Sequence, residues 1–573
     1  MRNAPCISRL RRKEVVLRVT VSCLLFTLIF TAAPVLRSAH AATPLQPDAG
    51  QILKTIPAPL PAPPASSGTD VLPKAPEERP PLQGDSALRV PVKRIVITGN
   101  SAFTAQELLP LVDDAVGKTL TFDELQALAT RITQFYRNRG YLLAHAYIPA
   151  QDVTEGTLEI AVLEGRYGKV HLDNRSRIAD PVLNRELAPL ESGQAVQSAP
   201  LERQLLLMSD LPGAAVTSTL KPGEATGTSD LDVRVDKASA LSGSVGFDNW
   251  GNRYTGSIRG FVAADWANPL GLGDRLSLYG MGAERDGTEY ERAAYDLPIN
   301  GAGTRVGAAV AHLLYSLGLD FAPLQAHGSA DIVSLYLNHP LVRSYNSNTN
   351  FQLNYDHRTL HDYVDSTSGS DSKRMDVFSA GLDGNHLGAL GAGNWRIALT
   401  EGHLNLDDLT AAIDQMGYRT AGNYYKATGG GTQLLPLAGR WSVYGAFSGQ
   451  VASKNLDMSE KFSMGGPTGV RAYPVGEAMA DDAWLATAEL RYSVTDQVQL
   501  NAFADGGTAR LNHTPLPTDL NNQRSLSGVG LGAIWAHPSR FSLTTYLAWR
   551  TGDAPTSAPD RRPTAWVQIA QGF

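Results

Sequence analysis

From about Ala238 to the C-terminus, apolar and polar residues alternate with a period of two, in short segments divided by Gly, Asn and Asp clusters. That is the pattern of β-strands with two different faces. Between Arg440 and Val451, the residues Trp441, Val443, Phe447 and Val451 hold one parity, and Arg440, Ser442, Ser448 and Gln450 hold the other. Phe541, Leu543, Leu547 and Trp549 alternate in the same way with Ser542, Thr544, Tyr546 and Arg550. About sixteen such segments can be marked, an even number in the range of outer-membrane barrels. In a soluble sandwich the apolar parity faces a core; in a barrel it faces lipid, and the small or polar parity faces a wet lumen. Abundant Gly, aromatic residues at strand ends, and a chain that stops on Phe573 with Ile569, Val567 and Ala565 in its parity favour the barrel.

Upstream, the pattern switches to strand, helix, helix, strand, strand. Lys93 to Ile97 alternates into the turn Gly99-Asn100, and Thr104 to Leu111 is a short helix. Thr121 and Glu124 form a capping box ahead of Phe122, Leu125, Leu128, Ile132 and Phe135, one apolar helical face that stops at Gly140. Strands Leu143 to Ile148 and Thr157 to Leu163 follow. The order then recurs: Lys169 to Leu172, helices near Pro181 to Leu190 and Leu201 to Met208, then Val216 to Leu220 and Leu231 to Val235. Two small α/β domains in tandem, 91–166 and 167–238, are the economical reading.

The stretch 42–90 is Pro-rich and reads as a polyproline-like linker. Within it, Ile52, Leu53 and Ile56 recur at helical spacing behind Asp48, consistent with a capped helix or a fluctuating turn. Before it, basic residues from Arg2 to Arg18 precede the apolar run Val19 to Phe30 and the small residues Ala39-His40-Ala41, so 1–41 reads as a signal peptide. Both cysteines, Cys6 and Cys23, lie inside it, which leaves no thiol for disulfides, thiolate metal sites or nucleophiles. Removing 1–41 leaves 43 basic and 55 acidic residues, net −12. An acidic exported chain is poorly suited to nucleic acid, and no later stretch approaches a spanning helix, so membrane embedding has to be by barrel.

The sharpest chemical signal is Gly465-Gly466-Pro467-Thr468-Gly469-Val470-Arg471-Ala472-Tyr473-Pro474, followed by Phe503-Ala504-Asp505-Gly506-Gly507. Asp505 shares the parity of Gln499 and Asn501, and Glu489 that of Thr487 and Arg491, so both carboxylates point into the lumen. An Arg on a Gly/Pro-rich loop can form a bidentate pair with one of them and anchor the loop inside the barrel. Here the sequence resembles the two-partner secretion transporters, which join periplasmic POTRA domains to a sixteen-stranded barrel. The family's sixth extracellular loop folds inward with a Val-Arg-Gly-Tyr/Phe tip, which Val470-Arg471-Ala472-Tyr473 matches except at Ala472, where a left-handed backbone would be costly. Its Phe-x-Asp strand motif matches Phe503-Ala504-Asp505. Gly140-Tyr141, Ile148-Pro149-x-Gln151, Leu163-Glu164-Gly165, Leu211-Pro212-Gly213 and Pro222-Gly223 extend the likeness over nearly the whole mature chain.

The resemblance implies a barrel over 239–573 with an inward-folded loop at 454–481, in the cell outer membrane, with the POTRA domains in the periplasm. It implies secretion, with or without activation, of an unfolded exoprotein of the adhesin, haemolysin or contact-dependent toxin class. Extended substrate would bind by adding its backbone to edge strands of the POTRA domains. Further expectations are a monomer, contact with outer-membrane lipid, and Phe573 read by the barrel assembly machinery. Weaker motifs carry little. His357 and His361 have zinc-helix spacing but lie in strand and loop context, as a polar rim. Asp362, Asp365, Asp371 and Asp376 lack EF-hand order and read as a solvated loop, and Gly528-Val529-Gly530-Leu531-Gly532 reads as small residues on a barrel strand. No metal, cofactor or catalytic constellation is expected. The alternative function is an outer-membrane protein assembly factor, a role that usually comes with more POTRA domains; a lipid hydrolase lacks its catalytic groups.

Overall fold

The computed structural model describes residues 46–56, 89–153 and 155–573; the signal peptide and most of the Pro-rich segment lie outside the described residues. Sixteen antiparallel strands, from Leu241–Asp248 to Thr564–Gly572, close into one barrel, with the last strand paired to the first. Alternation builds it. Phe447, Val451, Leu490, Leu500, Leu531 and Leu547 lie exposed on the outer face, where lipid replaces water, while Gln450, Glu489, Asn501 and Asp505 are buried inside. The wall is uneven: Ala326–Arg343, Ser347–Val364 and Gly369–Gly388 run 18, 18 and 20 residues, against 8 for Leu241–Asp248.

Two small domains precede the barrel, and each is a three-stranded sheet under two helices. In the first, Arg94–Thr98 runs parallel to Thr157–Leu163, which also pairs antiparallel with His145–Tyr147. In the second, Arg166–Asn174 runs parallel to Thr228–Lys237, which pairs antiparallel with Ala214–Pro222. The helix Phe122–Asn138 starts on the Thr121/Glu124 capping box and buries Leu125, Leu128, Ile132 and Tyr136. The helix expected over Thr104 to Leu111 is shorter: Ala105–Leu108 is α-helical and Leu109–Leu111 tightens into a 3-10 turn. Pro110 explains this, since it has no N–H to give to the helical ladder.

The short Gly-containing motifs of these domains sit at joints. Gly140, at φ 90°, lies where a Cβ would meet Ser198 Oγ of the second domain, and Gln197 Nε2 donates to Tyr141 Oη at 3.1 Å. Gly213, at φ 88°, leaves room for Asn268 in a periplasmic turn of the barrel. In the first domain, Glu164 accepts from Ser101 N and Ala102 N at 2.6 Å each and from Tyr136 Oη at 3.1 Å. The Gln151 amide completes a strand edge, accepting from Glu159 N at 2.7 Å and donating to Glu159 O at 2.8 Å. The second domain is bound to the barrel through Arg203 Nη2 to Pro340 O at 2.7 Å and an Arg343–Asp210 pair at 2.7 Å.

Candidate functional site

Two segments fill the barrel interior. One is the loop between strands Trp441–Ala452 and Asp482–Ser493. Its stem is a two-residue ribbon, Phe462–Ser463 against Met479–Ala480. Gly466, at φ 107°, turns the chain back so that Gly466 N donates to Tyr473 O at 3.1 Å and Val470 N to Met464 O at 2.8 Å. This compact turn carries Arg471 into the wall. Its Nε and Nη2 donate to Asp505 Oδ2 and Oδ1 at 2.9 and 2.7 Å, its backbone N donates to Oδ2 at 3.1 Å, and Nη1 donates to Glu489 Oε1 at 2.7 Å.

Neighbours complete the balance. Arg491 Nε donates to Glu489 Oε2 at 2.7 Å and Thr487 Oγ1 to Asp505 Oδ1 at 3.0 Å. The Arg471 guanidinium stacks 3.4 Å above the Phe503 ring and 4.8 Å from Tyr546. The side chains of Arg471, Asp505 and Glu489 are 5 %, 0 % and 4 % exposed. A wet lumen around this pair, the expectation from alternation, is therefore corrected: the loop itself shuts water out.

Ala472 is not among the residues with positive φ, so the backbone cost expected for replacing Gly there does not arise. Its methyl lies against Gly528, where an added Cβ would come within 2.4 Å. Gly530 likewise makes room for the Phe503 ring and Gly532 for Tyr546. The three glycines of the strand Gln523–Ala536 thus form the smooth floor on which the loop tip rests. Val470 and Tyr473 are fully buried, and Tyr473 Oη donates to Asp553 O at 2.7 Å.

Further contacts escaped the sequence reading. Trp566 Nε1 donates to Arg471 O at 2.7 Å; its inward parity, opposite to Ala565 and Val567, was a usable signal. Glu477, fully buried, accepts from Arg524 Nη2 at 2.9 Å, Thr556 N and Oγ1 at 3.0 Å, and Ser557 N at 2.9 Å, tying the loop to the last extracellular connection. A single Glu in a Gly/Pro-rich loop offers no periodic signal. Phe573 lies apart from this site. Its N donates to Gly243 O at 3.0 Å, so it extends the seam between last and first strands.

The second segment is the helix Ala49–Thr55, capped by Asp48 Oδ1 accepting from Gln51 N at 2.8 Å. Ala49 N donates to Asp362 Oδ1 at 2.8 Å, Asp48 pairs with Lys373 at 2.8 Å, and Arg259 Nη1 donates to Thr55 O at 3.2 Å. Gly50 sits so close to Ser459 of the loop that a Cβ would approach its N to 2.7 Å. Of the solvated loop expected at Asp362, Asp365, Asp371 and Asp376, Asp365 does stand in an exposed turn, and the other three are corrected. Asp362, Asp371 and Asp376 stand on paired strands, the first two facing Lys373 inside and Asp376 meeting His357 Nδ1 at 2.8 Å outside. Pairing carried past the expected loop because these strands stand higher than the apolar band.

A sixteen-stranded barrel with two α/β domains at its N-terminal side and an Arg-bearing loop drawn into its lumen defines an outer-membrane transporter with periplasmic POTRA domains. Residues 227–534 match the family described as haemolysin secretion/activation protein ShlB/FhaC/HecB, and residues 90–165 match the ShlB-type POTRA domain; the chain belongs to that family. The haem/hemopexin transporter protein HuxB of Haemophilus influenzae is 28% identical over 81% of this chain and 84% of its own length. The outer membrane transporter CdiB of Escherichia coli is 25% identical over 70% of this chain and 69% of its own length. A solved structure of CdiB from Escherichia coli superposes with a TM-score of 0.68 at 22% identity, covering 88% of this chain and 94% of that one, which is likeness of fold.

Proposed function

We propose that this transporter carries an unfolded partner exoprotein from the periplasm through the barrel to the cell surface, and that the Arg471 pair holds the loop in its transport-competent position. The observation that carries the reading is the buried Arg471–Asp505–Glu489 cluster inside a barrel whose remaining lumen holds a separate, short, docked helix. A barrel needed only as a scaffold has no reason to fill its interior with two segments held by charge and hydrogen bonds. On this reading 91–166 and 167–238 receive the chain at their edge strands and 239–573 conducts it, with the helix closing the resting pore. Relatives named as haem/hemopexin and haemolysin transporters support a secreted protein as cargo, which we place in the adhesin, haemolysin or toxin class. Nothing in the mechanism calls for a nucleotide, and folding of the cargo outside supplies a sufficient pull.

The test is to delete the chain's gene, compare proteins in the medium by mass spectrometry, and complement with wild type or Arg471→Ala at matched levels of folded barrel. One large protein should vanish on deletion, return with wild type and stay low with Arg471→Ala. A medium unchanged by the deletion defeats the transport reading.

A further inference from the structure

Strand pairing places Tyr290, Leu313, Ala330, Leu360, Lys373 and Leu406 opposite one another in a single row across six strands. All point inward. At about 4.8 Å between strands the row spans roughly 24 Å. The helix Ala49–Thr55 rests on it, with Ile52 fully buried in the same apolar cluster as Leu313 and Leu360. Seven residues of helix cover only about 10 Å. The shelf is therefore about twice as long as the helix, and Leu456, Asp457 and Ser459 of the inward-folded loop cover part of the remainder.

Charge makes that occupant a displaceable one. Lys373 already faces Asp457 at 3.3 Å, Asp371 at 3.5 Å and Asp362 at 3.9 Å, and the helix adds a fourth carboxylate, Asp48. Asp362 Oδ2 and Asp371 Oδ1 are buried with no hydrogen-bond partner. Apolar fit, the cap and the Ala49 N–H bond to Asp362 hold the helix, while the three resident carboxylates around one lysine repel the Asp48 carboxylate that it brings. When the helix leaves, the shelf presents aliphatic and aromatic side chains beside a net negative cluster. A conduit that only had to pass water and polar backbone would be penalised for exposing Leu313 and Leu360.

We infer that this shelf is a binding site for the translocating polypeptide, that it takes segments with spaced aliphatic side chains and a Lys or Arg opposite the Asp362, Asp371 and Asp457 cluster, and that the helix is a built-in competitor for it. The inference rests on the transport reading, and its test separates the two. Ile52→Asp in the full chain undocks the helix and raises conductance in planar bilayers. A soluble peptide of repeating Leu-Ser-Gly units with one Lys, added from the periplasmic side, should then block the current; the same peptide with Ser for Leu should not. Adding Leu360→Ser should raise the half-blocking concentration about tenfold, the change expected from losing part of one buried leucine contact. In cells, Leu360→Ser should lower export at matched barrel levels, whereas Ile52→Asp should leave it unchanged or higher. Equal block by both peptides, no effect of Leu360→Ser on block, or equal export by the two variants overturns the shelf as a substrate site. Block as expected with nothing exported even by wild type defeats the transport reading and leaves the shelf standing.

Discussion

Arg471 meets a carboxylate along each edge of its guanidinium and an aromatic ring on its face, and its own carbonyl is held by Trp566. Removing one partner of a buried pair strands the other, at about 3–5 kcal/mol. Because the cluster is sealed, Arg471→Ala should fall toward the upper part of that range. It should still insert as a heat-modifiable barrel, since the loss is local and the wall is closed by backbone hydrogen bonds. Exported protein per folded barrel should drop at least tenfold, with Asp505→Ala behaving alike and Arg471→Lys recovering only part, for want of the bidentate fork. Wild-type export by Arg471→Ala would falsify the anchoring role. Glu477→Gln turns one acceptor oxygen into a donor aimed at the N–H groups of Thr556 and Ser557. The expected outcome is faster proteolysis of the 551–563 connection on whole cells, with barrel levels unchanged. Arg471 and Asp505 were legible because strand parity and a Gly/Pro-rich turn both mark them; Glu477 was not, since its partners come from a strand and a loop that lie 47 and about 80 residues further along the chain.

At the scale of elements, the helix Ala49–Thr55 is too short to persist alone in water, where nucleation dominates. Its Asp48 cap and its docking inside the barrel sustain it, which is why the sequence left helix and turn equally open. Deleting 46–56 should raise single-channel conductance several-fold in planar bilayers while export persists; unchanged conductance removes the plug from the mechanism. In the second small domain, the helix Asp180–Leu187 carries Glu186, 1 % exposed, beside the periplasmic turn at Gly301. Burial pushes its carboxyl from 4.5 up to about 7, against the pull of Arg185, Arg203 and Arg305, with Asp210 adding to the rise. A raised carboxylate stabilises the folded domain fully below about 4.5, and the contribution is lost as pH rises through about 7, at no more than about 1.4 kcal/mol per pH unit. The protection of this helix against hydrogen exchange, taken relative to the intrinsic rate at each pH, should therefore fall between about pH 4.5 and about pH 7. Glu186→Gln should flatten that dependence.

For the whole molecule, closure depends on the seam between the strands Thr564–Gly572 and Leu241–Asp248, which pair over five residues, Gln568 to Gly572. Phe573 continues that pairing through Gly243, and its ring fills the space a Cβ at Gly243 would take. Phe573→Ser removes apolar area from a short seam. Heat-modifiable barrel in the outer membrane should fall several-fold, with any barrel that forms exporting normally; normal amounts reduce Phe573 to one more lipid contact.

Period-two alternation determined the barrel and the inward parity of Glu489 and Asp505, because a strand between lipid and lumen must separate its faces residue by residue. The Thr121/Glu124 capping box and one apolar helical face likewise marked the first small domain, and recurrence of its element order marked the second. What the tertiary structure alone decided is what fills the lumen. Whether a short helix docks, whether the loop excludes water from its ion pair, and whether Leu313 and Leu360 form a shelf all depend on side chains hundreds of residues apart meeting within one closed wall. Local periodicity carries no record of those meetings, because each is fixed by barrel register and closure and not by the residues beside it in the chain.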